Sequence, residues 1–292
     1  MQNSTQPLIS IITINYNQSH LTEQLISSIY EQRYPGYEII VVDNGSKEDA
    51  TWLKVKFPKI LFLQSKENLG FAGGNNLGIS RASGEYIFFV NNDTEFSHDL
   101  IEKLLDTFNI DERIAVVSPK IKYFSNPDII QYAGASSVNK LTGRNRMIGK
   151  NEIDQNKYFS GYTSFAHGAA MMVSSKALND VGMMPEDYFL YYEELDWCEM
   201  FKRKGYQVYF QSNAEILHKE SMSIGKESLL KLYYMTKNRI LFMKRNYSSH
   251  YYLFLTYVFL VIAPIKTFMY ILKFELSRLR VFYKGTIHGV TK

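Results

Sequence analysis

The run FLYYEELDWCEMF sets three acids, Glu193, Glu194 and Asp196, behind an aromatic approach. Acids in the first turn of a helix answer the helix dipole, at about 0.3–1 kcal/mol each. Three acids around an aromatic entry exceed that need, so at least one is a candidate general base. A second constellation lies in EYIFFVNNDTEF, where Tyr86 to Val90 run straight into Asn91, Asn92 and Asp93. Asn and Asp favour turns, yet a carboxylate at a strand end also offers the hard oxygen that a divalent cation takes. Mg2+ uses one or two carboxylates and completes its shell with substrate phosphates and water. His218, in EILHKES, adds a nitrogen donor that suits Mn2+ better than Mg2+. His167 before Gly168 reads as a buried imidazole, and Cys198 as a small core residue.

A third group has the character of a nucleotide site. Asp43 is followed by Asn44, Gly45 and Ser46, where an acid can accept hydrogen bonds from a nucleoside while Ser46 caps the next helix. NLGFAGGNN, at a strand-to-helix junction, presents backbone N–H groups and a helix start of the kind that suits phosphate. It matches neither the Walker pattern nor G-x-G-x-x-G.

These residues need strands to carry them. LISIITI, YEIIVVD, ILFLQ and EYIFFV are short apolar runs, and helical patterns stand between them. Continuous apolar strands alternating with helices predict a parallel sheet covered on both faces. Ligands in such sheets sit beyond the carboxyl ends of the strands. Those ends are Asn15 to Asn17, Asp43 to Ser46, Glu67 to Asn76 and Asn91 to Thr94, all rich in Asn, Asp, Gly and Ser. Farther on, IAVVSPKI, FAHGAAMMVS, YQVYF and AEILHK read as strands, and EELDWCEMFKRKG as a helix stopped by Gly205. From about Gly225 the pattern turns helical, dividing the chain into residues 1–224 and a C-terminal helical region, 225–292. That region holds the apolar run YYLFLTYVFLVIAPIKTFMYIL, flanked by Lys244, Arg245, Lys273, Arg278 and Arg280.

Tyr251 to Ile265 carries no charge but is shorter than the ~20 residues of a membrane-spanning helix. Reaching that length takes in Pro264 and Lys266, so an interfacial or re-entrant anchor on anionic lipid is expected, on the inner face of the membrane. A buried helical hairpin or a homodimer interface is the competing use of the same surface. Ending the chain after Asn246 is expected to leave a more soluble protein that keeps its donor chemistry.

With 292 residues, 46% hydrophobic and 15% aromatic, the chain is globular rather than disordered. A net charge of +4 does not indicate nucleic acid. The single cysteine excludes an internal disulfide and fits a reducing cytosol. The opening MQNSTQPLISIITINYN lacks the basic start and apolar stretch of a secretory signal. No fixed-period repeat is present, which argues against a solenoid.

Taken in order, SIITINYN, IIVVDNGS, ENLGFAGGNNLGI, GEYIFFVNNDT, the GAAMMVSS to YQVYF block and AEILHKES resemble glycosyltransferase family 2 over roughly residues 8–245. The narrower resemblance is to rhamnosyltransferase-like members that build bacterial surface polysaccharides. It implies a GT-A fold, Rossmann-like, with a mostly parallel sheet and helices on both faces. It also implies a nucleotide-diphosphate sugar donor, a divalent metal (Mn2+ or Mg2+), a glycan or lipid-linked acceptor and inversion at the anomeric carbon. Asp43 would contact the base or ribose, alongside Asn15, Asn44 and Asn92 at the strand ends. Asn68, Gly70, Phe71, Gly74 and Asn75 would line the nucleotide. Asp93 is the last acid of a D-x-D-like metal motif, and His218 stands where a metal-contacting histidine often occurs. Glu194 occupies the place of the family's catalytic Asp.

Two departures matter: Asn91 replaces the first acid of the motif, and Glu194 is one methylene longer than Asp. Glu193 and Asp196 therefore stay open as the base. The competing expectations are a nucleotidyltransferase on a similar fold and a non-catalytic subunit that binds sugar nucleotide without turnover.

Overall fold

A computed structural model describes residues 6–220 and 228–292. β1 (Ile9–Asn15) leads through α1 (Ser19–Tyr30) to β2 (Tyr37–Asn44), through α2 (Trp52–Lys56) to β3 (Leu61–Ser65), and through α3 (Gly70–Ile79) to β4 (Tyr86–Asn91). There follow β5 (Thr94–Phe96), α4 (Leu100–Thr107), β6 (Ile114–Tyr123), β7 (Asn126–Tyr132), β8 (Gly161–Thr163) and β9 (Ala170–Ser174). After α5 (Ser175–Val181) and α6 (Glu193–Arg203), β10 (Gln207–His218) completes the sheet. The C-terminal helices are α7 (Leu229–Asn246), α8 (Ser248–Tyr257), α9 (Ala263–Leu272) and α10 (Leu276–Thr291).

The sheet runs β3-β2-β1-β4-β9-β6-β10-β5, with β7 added to β6 and β8 to β10. β1 to β4 are parallel, as their unbroken apolar runs predict. The second half is mixed: β9 is antiparallel to both β4 and β6, while β10 is parallel to β6. YQVYF and AEILHK, expected as two strands, form the single β10, with its register broken between Gln211 and Glu215.

Topology collects the polar strand ends on one edge. Asn15 pairs with Asp43, and Ile14 with Asn91, so the carboxyl ends of β1, β2 and β4 lie side by side. Because β9 is antiparallel, its start reaches the same edge, where Asn91 N–H donates to the Ala169 carbonyl at 3.0 Å. His218 ends β10 opposite Thr94, which brings it beside Asp93.

The glycines of α3 serve close packing. A Cβ at Gly74 would stand 2.8 Å from Ile14 Cδ1, and one at Gly78 2.5 Å from Ile12 Cγ2. Only a bare backbone lets this helix lie so near β1.

α7 buries Ile240, Leu241, Phe242 and Met243 in the same core as the sheet. The boundary expected between residues 224 and 225 lies outside the described residues. α10 lies against α7, where a Cβ at Gly289 would be 2.7 Å from the Lys237 carbonyl. α8 and α9 are one continuous helix, Ser248–Leu272, joined by a wider π turn over Val258–Ile262. Pro264 follows that turn, and since proline has no N–H to give the preceding turn, a local widening there is expected.

Candidate active site

At the edge defined by β4, β9 and β10, His218 Nε2 lies 3.1 Å from Asp93 Oδ1, both side chains nearly buried. His218 Nδ1 is 2.7 Å from Gln131 Oε1. An amide oxygen only accepts, so Nδ1 donates there, and Nε2 is the ring nitrogen turned toward the carboxylate. Ligand bonds of about 2.1 Å in an octahedral shell put adjacent donors about 3 Å apart. The Asp93–His218 pair therefore fits two neighbouring ligands of one divalent cation, with Gln131 fixing the ring as an outer partner. Among the described residues no cluster of three or more His, Cys, Asp or Glu could hold a metal. The remaining ligands would have to come from a diphosphate and water.

His167 packs beside His218, ring centroids 6.3 Å apart. Burial lowers its pKa to about 3, and His218 and Lys150 add to that against the pull of Asp93. It is neutral at physiological pH, and its Nδ1 accepts from the Ala169 N–H at 3.1 Å.

Gly168, next to His167, lies against Glu194. A Cβ there would stand 3.2 Å from Glu194 Oε1 and 3.4 Å from Phe71 Cζ. Glu194 thus lies between the start of β9 and the first turn of α3. The Oε2 atoms of Glu193 and Glu194 are buried and have no hydrogen-bond partner among the described residues. Burial raises the Glu194 pKa to about 7. Glu193 is raised well above the carboxylate range, first by burial and then by Glu194 beside it. Of the two, Glu194 keeps part of its side chain accessible.

Asp196 is drawn elsewhere. Its Oδ1 accepts from Asn246 at 2.7 Å, and its Oδ2 from Tyr188 at 3.0 Å while pairing with Arg245 Nε at 3.1 Å. Fully buried and fully engaged, it ties α6 to α7.

The nucleotide-binding candidates split in the same way. Asp43 is buried, accepting from Asn15 at 2.9 Å and, more loosely, from Gln64 at 3.3 Å. Asn15 also accepts from Thr22 at 2.9 Å, and Asn92 donates to the same hydroxyl at 3.1 Å. Asn44 holds the turn into α3, donating to the Gly70 carbonyl at 3.0 Å and accepting from Leu69 N–H at 3.0 Å. Asn68 accepts from Gly70 N–H at 2.8 Å, and Asn75 donates to the Phe71 carbonyl at 3.0 Å. Gly70 has φ +74°, and a Cβ on it would collide with the Phe189 carbonyl at 2.2 Å. Asn44, Asn68, Gly70, Gly74 and Asn75 therefore hold the turn into α3 and its close packing, and Phe71 is partly exposed.

Sequence reasoning missed Gln131 and Asn238. The Asn238 side-chain nitrogen stands 3.0, 2.7 and 2.9 Å from the carbonyls of Tyr188, Leu190 and Tyr191. It clamps the segment leading to the acids, in which Phe189 (φ 67°), Tyr191 (φ 67°) and Tyr192 (φ 80°) adopt left-handed backbone. Bulky residues there are uncommon and cost of order 1–3 kcal/mol each.

Residues 10–182 match the model of glycosyl transferase family 2. The chain is 25% identical over 247 residues to the low-salt glycan biosynthesis hexosyltransferase Agl10 of Haloferax volcanii, covering 80% of this chain and 74% of that protein. It is 21% identical over 267 residues to the N-acetylglucosaminyl-diphospho-decaprenol L-rhamnosyltransferase of Mycobacterium tuberculosis, covering 83% and 86%. Among solved structures, the mannosyltransferase PcManGT from Pyrobaculum calidifontis, in complex with GDP-Man and Mn2+, superposes with a TM-score of 0.60 at 15% identity, over 98% of this chain and 88% of that one. GalNAc-T7, with UDP, GalNAc and Mn2+, gives 0.67 at 12% identity, over 83% and 48%. The fold is GT-A, and the chain belongs to glycosyl transferase family 2.

Proposed function

We propose that this protein is an inverting hexosyltransferase that moves a sugar, rhamnose being the first candidate, from a nucleotide-diphosphate donor to a glycan or lipid-linked acceptor. The observation that carries the reading is Glu194, a buried carboxyl with a raised pKa, set against Gly168 and Phe71 next to His167, whose ring packs on the His218 paired with Asp93. Glu194 would remove the proton from the acceptor hydroxyl as that oxygen attacks the anomeric carbon. Glu193, buried beside it, holds its proton and disfavours a second negative charge. Asp43 would read ribose or base by exchanging its loose contact with Gln64 for a donor on the nucleoside. Asp93 and His218 would hold a divalent cation, which when bound supplies positive charge at the departing diphosphate.

The C-terminal helices would seat the protein on the inner face of the membrane. Phe254, Val258, Ala263 and Tyr270 are buried against the body while Leu253, Leu260, Phe268 and Leu272 on the same helix are exposed. By length and composition the helix could cross a membrane, but one face already packed on the protein supports lying along the surface. A panel of nucleotide sugars, assayed with and without Mn2+ or Mg2+, tests the reading. Release of a nucleoside diphosphate together with a glycosylated acceptor is expected. Release of pyrophosphate would mark a nucleotidyltransferase, and binding without turnover a non-catalytic subunit.

A further inference from the structure

A cavity of about 790 Å3 lies between the loop of residues 144–152 and the helices α7, α9 and α10. Five cations line it: Arg144, Arg146, Lys150, Arg239 and Lys266. The acid among its lining residues, Glu152, is engaged by Lys157 and by the Tyr158 hydroxyl. None of the five cations forms a close ion pair with a carboxylate among the described residues, and Arg146 alone of them acts on Glu152, at longer range.

Arg239 is the most telling of them. It is 6% exposed, its guanidinium lies 5.9 Å from the Phe254 ring, and its Nε is buried without a hydrogen-bond acceptor among the described residues. The buried Nδ2 of Asn145, on the same wall, also lacks an acceptor there. Burying a charge without a partner is costly. Burial holds the Arg239 pKa below its usual value; Tyr192 works against that and Arg144 adds to it. The place is thus rich in donors and short of negative charge.

Leu232, Met235, Ile262 and Phe282 add an apolar wall to the same cavity, and Ile262 leads into the exposed Ile265 and Phe268. A nucleic acid or an acidic peptide has no use for that wall. Tyr192 also lines the cavity, two residues before Glu194, and its hydroxyl donates to the Gly143 carbonyl at 3.3 Å.

We propose that this cavity binds the diphosphate head of an amphiphilic acceptor whose hydrocarbon chain leaves along α9. Arginine forks match phosphate oxygens in pairs, and the apolar wall receives the first part of the chain. The site would deliver a sugar or hydroxyl carried on that diphosphate to the start of α6. The proposal rests on the transferase reading above, since it names the acceptor class for that reaction.

Farnesyl diphosphate is the probe, titrated calorimetrically into the full chain with EDTA present to silence the metal site. Tighter binding than inorganic pyrophosphate and than uncharged farnesol is expected. Arg144→Ala with Lys266→Ala, both away from the buried core of the site, should weaken it by about tenfold or more. Donor hydrolysis without acceptor should stay unchanged in this double variant, and Asp93→Asn should keep farnesyl diphosphate binding.

Equal affinity for pyrophosphate would overturn the lipid part of the proposal, and equal affinity for farnesol the anionic part. If phosphatidylglycerol vesicles competed as well as the probe, the cavity would be a general anionic-lipid contact, and the proposal would fail. Turnover of a nucleotide sugar with probe binding unmoved by the double variant would sink this proposal and leave the transferase reading standing. Variant-sensitive probe binding in a protein that turns over no nucleotide sugar would do the reverse.

Discussion

Two carboxyl groups sharing a buried helix start cannot both ionise cheaply, and Glu194 is raised to about 7 mainly by that burial. A base must be deprotonated to act, so kcat/KM should fall as pH drops below about 7, and Glu194→Gln should abolish that acid limb. The same substitution should lower kcat by at least about 10²-fold, the scale of a lost general base, with donor affinity nearly unchanged. Glu193→Gln proving the more damaging would move the role to that residue. Linkage gives a second readout. With a folded pKa above the unfolded value, the folded state binds more protons, so stability contributed by the protonated group is present at low pH and lost as pH rises toward 7. Glu194→Gln should therefore raise Tm at pH 8 by on the order of a few degrees, with the gain fading below pH 5. Asp93→Asn should remove metal-dependent turnover while leaving the melting curve in place; near wild-type rates at low Mn2+ would contradict its ligand role. Asp93, His218 and the acid pair stand out in the sequence because polar groups there exceed what a turn or a helix dipole needs. Gln131 is not, since one amide between Ile130 and Tyr132 has no chemistry until the sheet sets it beside His218.

At the scale of elements, the polar strand ends were readable because continuous apolar runs announce buried strands and strand ends carry ligands. The mixed order of the second half was not, because a short apolar run carries no direction. Asn238 hid for another reason. Thr236, Lys237, Asn238 and Arg239 are all buried, yet a polar run on a helix ordinarily marks its solvated face. Here it faces the left-handed segment before α6 and the cavity beside it. Asn238→Ala would leave three carbonyls without their shared donor and free a strained loop, at a cost of about 2–4 kcal/mol. Chemical denaturation measures that loss, and Asn238→Asp should be no milder, because a carboxylate cannot donate. An alanine variant with unchanged midpoint and kcat would show that the loop holds itself.

For the whole molecule, the structure changes how the C-terminal region should be tested. Cutting after Asn246 would strip α10 from α7 and remove Phe254 and Val258 from the core, so the truncated chain should be less stable as well as less apolar. Leu253→Gln, Leu260→Gln and Phe268→Gln together alter only exposed side chains. Vesicle sedimentation should show this triple variant losing binding to anionic vesicles, with Tm within about a degree of wild type, as surface substitutions usually allow. A shift from dimer to monomer with vesicle binding retained would assign the face to a second copy instead.

The outward apolar face of the Ser248–Leu272 helix also bears on kinetics. An enzyme held flat on a bilayer meets a lipid-borne acceptor in two dimensions, so its rate answers to acceptor molecules per unit of lipid surface rather than per unit of volume. Diluting that surface with inert phospholipid, at constant total acceptor, should slow transfer in proportion, while donor hydrolysis, which draws on the aqueous phase, should stay level.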